Sequence, residues 1–284
     1  MTQKIIFITW AHNAAKTLPR AINSVLAQTH TDFEYYIIDN ASTDLTPQII
    51  QAYARHDPRV HYLRCPEKGY NLRLFNWTFA QLPSDYDYFV SLDADDEYHP
   101  EFLAETLKFS QENNLDVTAC KVDVVRDGKH FPFPQAENRL FLLPTDFAVL
   151  ADYKASIRPT WAKLYKKHVL DAARATLCAH PHDDLVFGAD ALFNFIVFKH
   201  VQRFGVVGKG LHRYYIQPNS LSAEISCKRV ESCAILHTAM REFLNIKCGE
   251  VSAENEQHLM EDFVESFQRT VSLLAFSKRK GELS

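Results

Sequence analysis

A chain of 284 residues, 46% apolar and 23% charged, is long enough to bury a sizeable core and too apolar for wholesale disorder. Its formal charge of -4 argues against a general nucleic-acid partner, which would call for a basic protein. Six cysteines (Cys65, Cys120, Cys178, Cys227, Cys233, Cys248) contain no C-x-x-C pair, so neither a zinc site nor a disulfide framework is expected, and a cytoplasmic setting is.

Ile5 to Ile8 is too short for a signal peptide and reads as a first strand. No run approaches membrane-spanning length, so any membrane contact is expected to be peripheral, at the inner face. Leu18, Ile22, Val25 and Leu26 share one helical face. Tyr35 to Ile38 and Val60 to Leu63 are further strands, with a helix between them that Thr46 can cap and Pro47 can open. Tyr70 to Leu82 predicts a third helix and Tyr88 to Leu92 a fourth strand. This alternation predicts an α/β fold with a mostly parallel sheet covered by helices on both faces.

Ligands of such sheets sit beyond the carboxyl ends of the strands, where Asn13, Asp39, Asn40 and Asp93 to Asp96 collect. The first glycine is Gly69. That excludes the dinucleotide fingerprint and the P-loop, which need glycines directly after the first strand.

From about Asp123 to Pro159 the alternation gives way to loop and hairpin. Trp161 to Tyr165 predicts a strand, Asp190 to His200 a helix and Leu211 to Ile216 a last strand. From about Ser226 the pattern is helical, and Leu259, Phe263, Phe267, Val271 and Leu274 form one apolar face running into Lys278-Arg279-Lys280. That face suits packing on the domain, a homo-oligomer contact, or a peripheral hold on an anionic membrane.

Phe89 to Leu92 leads directly into Asp93-Ala94-Asp95-Asp96. Ionised carboxylates gathered at a strand end repel and lose hydration unless a cation offsets the cost, which a hard divalent ion on a phosphate does. The competing reading is a polar turn with Asp96 or Glu97 in solvent.

These blocks together resemble glycosyltransferase family two of the GT-A fold, the type found in bacterial surface-polysaccharide assembly. Thr9-Trp10-Ala11-His12-Asn13 with Thr17 to Thr29 resembles the family's first strand and helix, Ile38 to Asp44 its second-strand motif, and Asp93-Ala94-Asp95 its D-x-D. Gly188-Ala189-Asp190 before Leu192 and Phe193 resembles its late acidic motif. The resemblance runs from about Ile5 to Ser222. It implies a Rossmann-like GT-A domain over 1–222, with a nucleotide-sugar half to about 122 and an acceptor half from about 123, then a helical extension over 223–284.

The same resemblance implies an inverting, metal-dependent transferase that moves a hexosyl or N-acetylhexosaminyl group from a nucleotide sugar, a UDP-sugar, to a glycan or lipid-linked hydroxyl. Asp95 and Asp93 would hold Mn²⁺ or Mg²⁺. Thr9, Trp10, Asn13, Asp39, Asn40, Arg73, Asp93 and Ala94 would contact the donor, Asp39 by accepting from uracil. Asp190 would be the catalytic base, with His182, Asp183 and Asp184 as the rival assignment. His212 is open between a contact to metal or diphosphate and a structural role. Trp10 stands where the family has a small or hydroxylated residue and suits packing as well as stacking, and Asn13 and Asp44 can also serve as helix caps. The alternatives are a sugar-nucleotide pyrophosphorylase, which would need a glycine-rich basic loop that Trp10 to Asn13 lacks, a glycoside hydrolase, and a catalytically inactive sugar-nucleotide-binding or scaffold protein of the same fold.

Overall fold

The computed structural model describes residues 3–69, 71–142, 157–181, 185, 187–216 and 228–280. Ten strands form one sheet: β1 (Ile5–Ala11), β2 (Glu34–Asp39), β3 (Val60–Arg64), β4 (Tyr88–Ser91), β5 (Glu97–Tyr98), β6 (Val117–Arg126), β7 (Lys129–Phe131), β8 (Arg139–Leu142), β9 (Lys163–Lys166) and β10 (Arg203–Tyr215). The helices among the described residues are α1 (Leu18–Leu26), α2 (Thr46–His56), α3 (Asn71–Gln81), α4 (Phe102–Glu112), α5 (Lys167–Cys178), α6 (Ala189–Phe198), α7 (Lys228–Cys248) and α8 (Ala253–Lys280).

The order is β3-β2-β1-β4-β9-β6-β10-β5, with β7 on β6 and β8 on β10. Pairing is parallel through β3-β2-β1-β4, as the alternation predicts. Beyond β4 the sheet is mixed, because β9 runs antiparallel to both β4 and β6 while β6 and β10 are again parallel. β1 and β4 are buried along nearly their whole length because both faces are covered. Ile5 and Phe7 join the core under α1, α2 and α4, whereas Ile6 and Ile8 join the one under α3, α5, α6 and α7. Each fully buried Phe or Ile there contributes roughly 1.5–3 kcal/mol.

Several boundaries differ from the sequence reading for local reasons. Thr46 is the first residue of α2 rather than its cap; Asp44 Oδ1 accepts the Thr46 amide at 2.9 Å, while Thr46 Oγ1 accepts from Ala14 N–H. Asn13 caps no helix and sits at φ 49°. β9 begins at Lys163 and not Trp161, because Ala162 takes the left-handed region at φ 57° and breaks the strand. β10 begins at Arg203, well before Leu211.

In the C-terminal extension Leu259 is fully buried and Phe195 meets Phe243 at 5.9 Å between ring centroids. The face predicted to pack is covered only at that end. Phe267 is 38% and Val271 43% exposed, and the side chains of Leu274 and of Lys278 to Lys280 lie outside the described residues. No helix among the described residues is long and apolar enough to cross a membrane.

Candidate active site

The acidic turn between β4 and β5 is clamped from three directions. Leu92 N–H donates to the Ile8 carbonyl at 2.9 Å, and Asp96 N–H donates to the Asp93 carbonyl at 3.2 Å. β5 pairs with the end of β10, where the Tyr215 amide donates to Asp96 Oδ1 at 2.8 Å. From α1, Arg20 donates to the Asp95 carbonyl and lies 3.6 Å over the Tyr215 ring. Among the described residues, Asp93, Asp95 and Asp96 thereby offer carboxylate oxygens within 4.8 Å of one another.

Crowding and burial both oppose ionisation. Burial first, then Asp190, Asp96 and Asp95, push the Asp93 carboxyl well above its ordinary value. Burial and Asp96 push Asp95 up to about 6, against the pull of Arg20 and His212. Asp96 is not in solvent, contrary to the polar-turn reading: it is 0% exposed, because β10 closes over it. His212 is also fully buried, with its Nε2 3.3 Å from Asp96 Oδ2. That oxygen and both ring nitrogens of His212 have no hydrogen-bond partner. Three hard oxygen donors beside orphaned buried polar atoms fit a divalent cation such as Mg²⁺ or Mn²⁺.

Asp190 arrives from the other half of the chain, in the first turn of α6. Gly188 allows this entry: at φ 78° it caps the helix, and a Cβ there would meet Leu236 Cδ1 at 2.4 Å. Burial raises the Asp190 carboxyl, while two bonds from Thr160 and the charge of Lys163 pull it back. Its charge in turn raises Asp93, so β4 and α6 bring these two carboxylates to one place. The rivals His182, Asp183 and Asp184 lie outside the described residues.

Several residues expected to contact the donor also have partners within the protein. Thr9 is fully buried and shares a 2.8 Å hydrogen bond with Tyr35 OH inside the sheet. The Trp10 indole donates to Thr78 Oγ1 at 2.9 Å and its ring meets Phe75 edge-on at 4.7 Å. Asn40 is committed to the Gly69 backbone, donating to its carbonyl at 2.7 Å and accepting from its amide at 2.8 Å. Asn13 is exposed, and its Oδ1 accepts from Thr43 N–H at 2.8 Å.

Asp39 is 0% exposed, with Oδ1 taken by Ser42 N–H and Oδ2 by Arg64 at 2.6 Å. A uracil would therefore meet an Asp39–Arg64 pair rather than a free carboxylate. Ala94 is half-buried in the acidic turn and Arg73 is exposed in the first turn of α3.

The sequence left Asp96 open between the carboxylate group and a polar turn, and it did not point to Arg20 beside that group, to Arg64 beside Asp39, or to Thr160 and Lys163 around Asp190. One signal was present, since Lys163 interrupts an apolar run. The others become visible only when the strands are assembled.

A sheet that opens on a carboxylate cluster, with a second acidic helix start facing it, matches the GT-A class of fold. TarS 1–349 of S. aureus, solved in complex with UDP-GlcNAc, is similar with a TM-score of 0.66 and 19% identity, over 95% of this chain and 73% of that one. The mannosyltransferase PcManGT from Pyrobaculum calidifontis, in complex with GDP-Man and Mn²⁺, is similar with a TM-score of 0.60 and 15% identity, over 98% and 76%. The chain belongs to glycosyl transferase family 2, whose family model matches residues 6–173. Among curated relatives, the uncharacterized glycosyltransferase EpsJ of Bacillus subtilis (strain 168) is 25% identical over 226 residues, which is 78% of this chain and 64% of the relative. The chain thus spans under two thirds of that relative's length.

Proposed function

We propose that the protein is an inverting glycosyltransferase that moves a sugar from a nucleotide donor to a hydroxyl of a glycan or lipid-linked acceptor in bacterial surface polysaccharide synthesis. The observation that carries the reading is the convergence of Asp190 on the carboxylate group of Asp93, Asp95 and Asp96, described above. A UDP-sugar is the favoured donor, supported by the likeness to TarS in complex with UDP-GlcNAc. The sugar is a hexosyl or N-acetylhexosaminyl group.

In this reading Asp95 and Asp93, with Asp96 beside them, would hold Mn²⁺ or Mg²⁺, whose charge would offset that of a departing diphosphate. Asp39 with Arg64 meets the base, and the exposed Arg73 offers forked donors to phosphate. Asp190 takes the proton of the acceptor hydroxyl. That oxygen attacks the anomeric carbon from the face opposite the leaving group; the new C–O bond forms as the bond to the phosphate oxygen breaks, and its electron pair leaves with the diphosphate. Burial holds the Asp190 carboxyl above its ordinary value, which raises its proton affinity toward that of a useful base. A cytoplasmic enzyme, peripheral at the inner face of the membrane, would meet lipid-linked acceptors directly.

The test is a panel of UDP- and GDP-sugars screened by thermal shift with and without Mn²⁺, followed by nucleotide release from the donor that stabilises most. Asp190→Asn should keep donor stabilisation and lose roughly 10²- to 10⁴-fold in turnover. Stabilisation by no nucleotide sugar, or an Asp190→Asn protein as active as wild type, overturns the assignment.

A further inference from the structure

The turn ahead of β9 is held more completely than a connection needs. Five consecutive carbonyls are captured. Asn194 Nδ2, on α6, donates to the Arg158 carbonyl at 3.1 Å and the Pro159 carbonyl at 2.8 Å. Lys163 Nζ donates to the Pro159 carbonyl and to that of Trp161 at 3.4 Å. Tyr165 OH shares its proton between the Thr160 carbonyl at 3.2 Å and Asn194 Oδ1 at 2.8 Å. The Ala162 carbonyl accepts from Cys120 N–H at 3.0 Å, and the Ala162 amide donates to Tyr98 OH at 2.9 Å.

This network includes costly groups. Lys163 is 1% exposed and Asn194 0% exposed, and a buried ammonium is expensive unless its surroundings answer it. An alanine in the left-handed region adds backbone strain at Ala162. An apolar residue at 163 would fill the space without the charge. What the turn delivers is Thr160, whose hydroxyl and amide both reach Asp190 Oδ2, at 3.2 and 3.5 Å. Among the described residues nothing donates to Asp190 Oδ1.

We propose that Thr160, fixed in place by the buried Lys163, is the positioning residue of the base: it occupies Oδ2 of Asp190 and leaves Oδ1 to receive the acceptor's proton. This rests on Asp190 being the base. Burial lowers the Lys163 ammonium to about 7, with the charge of Asp190 acting the other way, which agrees with the two groups having been placed together.

The experiment measures nucleotide release from UDP-glucose, UDP-galactose, UDP-N-acetylglucosamine and GDP-mannose in turn, with water accepting the sugar, for the full chain and four variants. Thr160→Val keeps the shape and the amide and loses the hydroxyl; kcat should fall about 10- to 100-fold, the worth of a hydrogen bond to a charged group, with the donor KM within twofold of wild type. Thr160→Ser should restore kcat. Lys163→Met should reproduce the Thr160→Val loss, again in kcat and not in donor KM. Thr160→Val and Lys163→Met proteins with wild-type kcat beside an inactive Asp190→Asn overturn the positioning role alone. Variants that lose kcat and donor KM together with melting temperature also overturn it, since the turn would then be scaffold. An active Asp190→Asn, or no release by the wild type from any of the four donors, overturns the functional reading beneath it.

Discussion

Asp95→Asn should make the metal-free protein more stable and the metal-loaded protein less so. The native Asp95 carboxyl sits at about 6 against an ordinary value of 3.8. A raised carboxyl binds its proton more tightly in the folded state, so its contribution is fully favourable below pH 3.8 and is lost as pH rises through about 6. The rise from 3.8 to about 6 corresponds to a cost of roughly 3 kcal/mol at neutral pH. An amide carries no charge and recovers part of that, about 1–3 kcal/mol once its own hydrogen-bonding needs are counted.

An unfolding entropy of about 2.1 cal/mol/K per residue over the whole chain makes this a rise of roughly 2–5 °C in melting temperature at pH 7.5 in EDTA. The gain should vanish at pH 4, where both proteins are neutral at this position. With Mn²⁺ at about 100 times its Kd the wild type should gain roughly 2.7 kcal/mol and the variant little. Differential scanning fluorimetry in four buffers, EDTA or Mn²⁺ at each pH, reads all of this. A variant that melts below wild type at pH 7.5 in EDTA, or that gains as much from Mn²⁺, would refute the reasoning from crowded carboxylates.

Two further outcomes follow from backbone geometry and burial. Gly188→Ala should destabilise by about 2–4 kcal/mol in urea titration, because it combines a left-handed alanine with a Cβ placed 2.4 Å from Leu236 Cδ1; a loss under 1 kcal/mol would mean that α7 yields easily. Burial pushes the Cys65 thiol to about 11 and Cys120 to about 12, whereas Cys178 is exposed, so iodoacetamide at pH 8 should label Cys178 well before the other two by peptide mapping; the reverse order would contradict the buried placement.

The first half of the fold is legible in the sequence because β1 to β4 are short, mainly apolar or aromatic runs, and the first three are each followed by a helical segment. The second half is not, and the glycines of β10 show why. Gly205, Gly208 and Gly210 look like strand breakers, yet each is required by a neighbour: a Cβ would meet Leu115 Cδ1 at 2.4 Å, the Ala136 carbonyl oxygen at 2.0 Å and Asp123 Oδ1 at 1.9 Å, respectively. A strand that must admit other backbone and side chains so closely loses the composition by which strands are read. β6 carries Lys121 and Asp123 within its span, and β9 starts after a left-handed alanine, so neither has the clean run of β1.

The candidate site divides along the same line. Asp93, Asp95 and Asp190 stand out in the sequence because the proposed chemistry calls for carboxylates and each stands beside an element boundary the sequence marks. The protein partners of Thr9, Trp10 and Asn40 were hidden for a related reason. A polar or aromatic residue at a strand end faces either the ligand or the next element, and strand register decides between them: Thr9 and Trp10 are adjacent on β1, so one points to Tyr35 and the other to Thr78 on the opposite face. Asp96 lies one residue beyond the D-x-D, so the sequence left it open between the carboxylate group and a solvent-exposed turn, and only the return of β10 shows it buried. Thr160 and Lys163 belong to no motif. Their role depends on contacts with α6, about 30 residues further along the chain. The carboxylates of the candidate site are therefore visible as residue types, while the groups that hold them are set by packing between distant segments, and it is these holding groups that a sequence read alone leaves out.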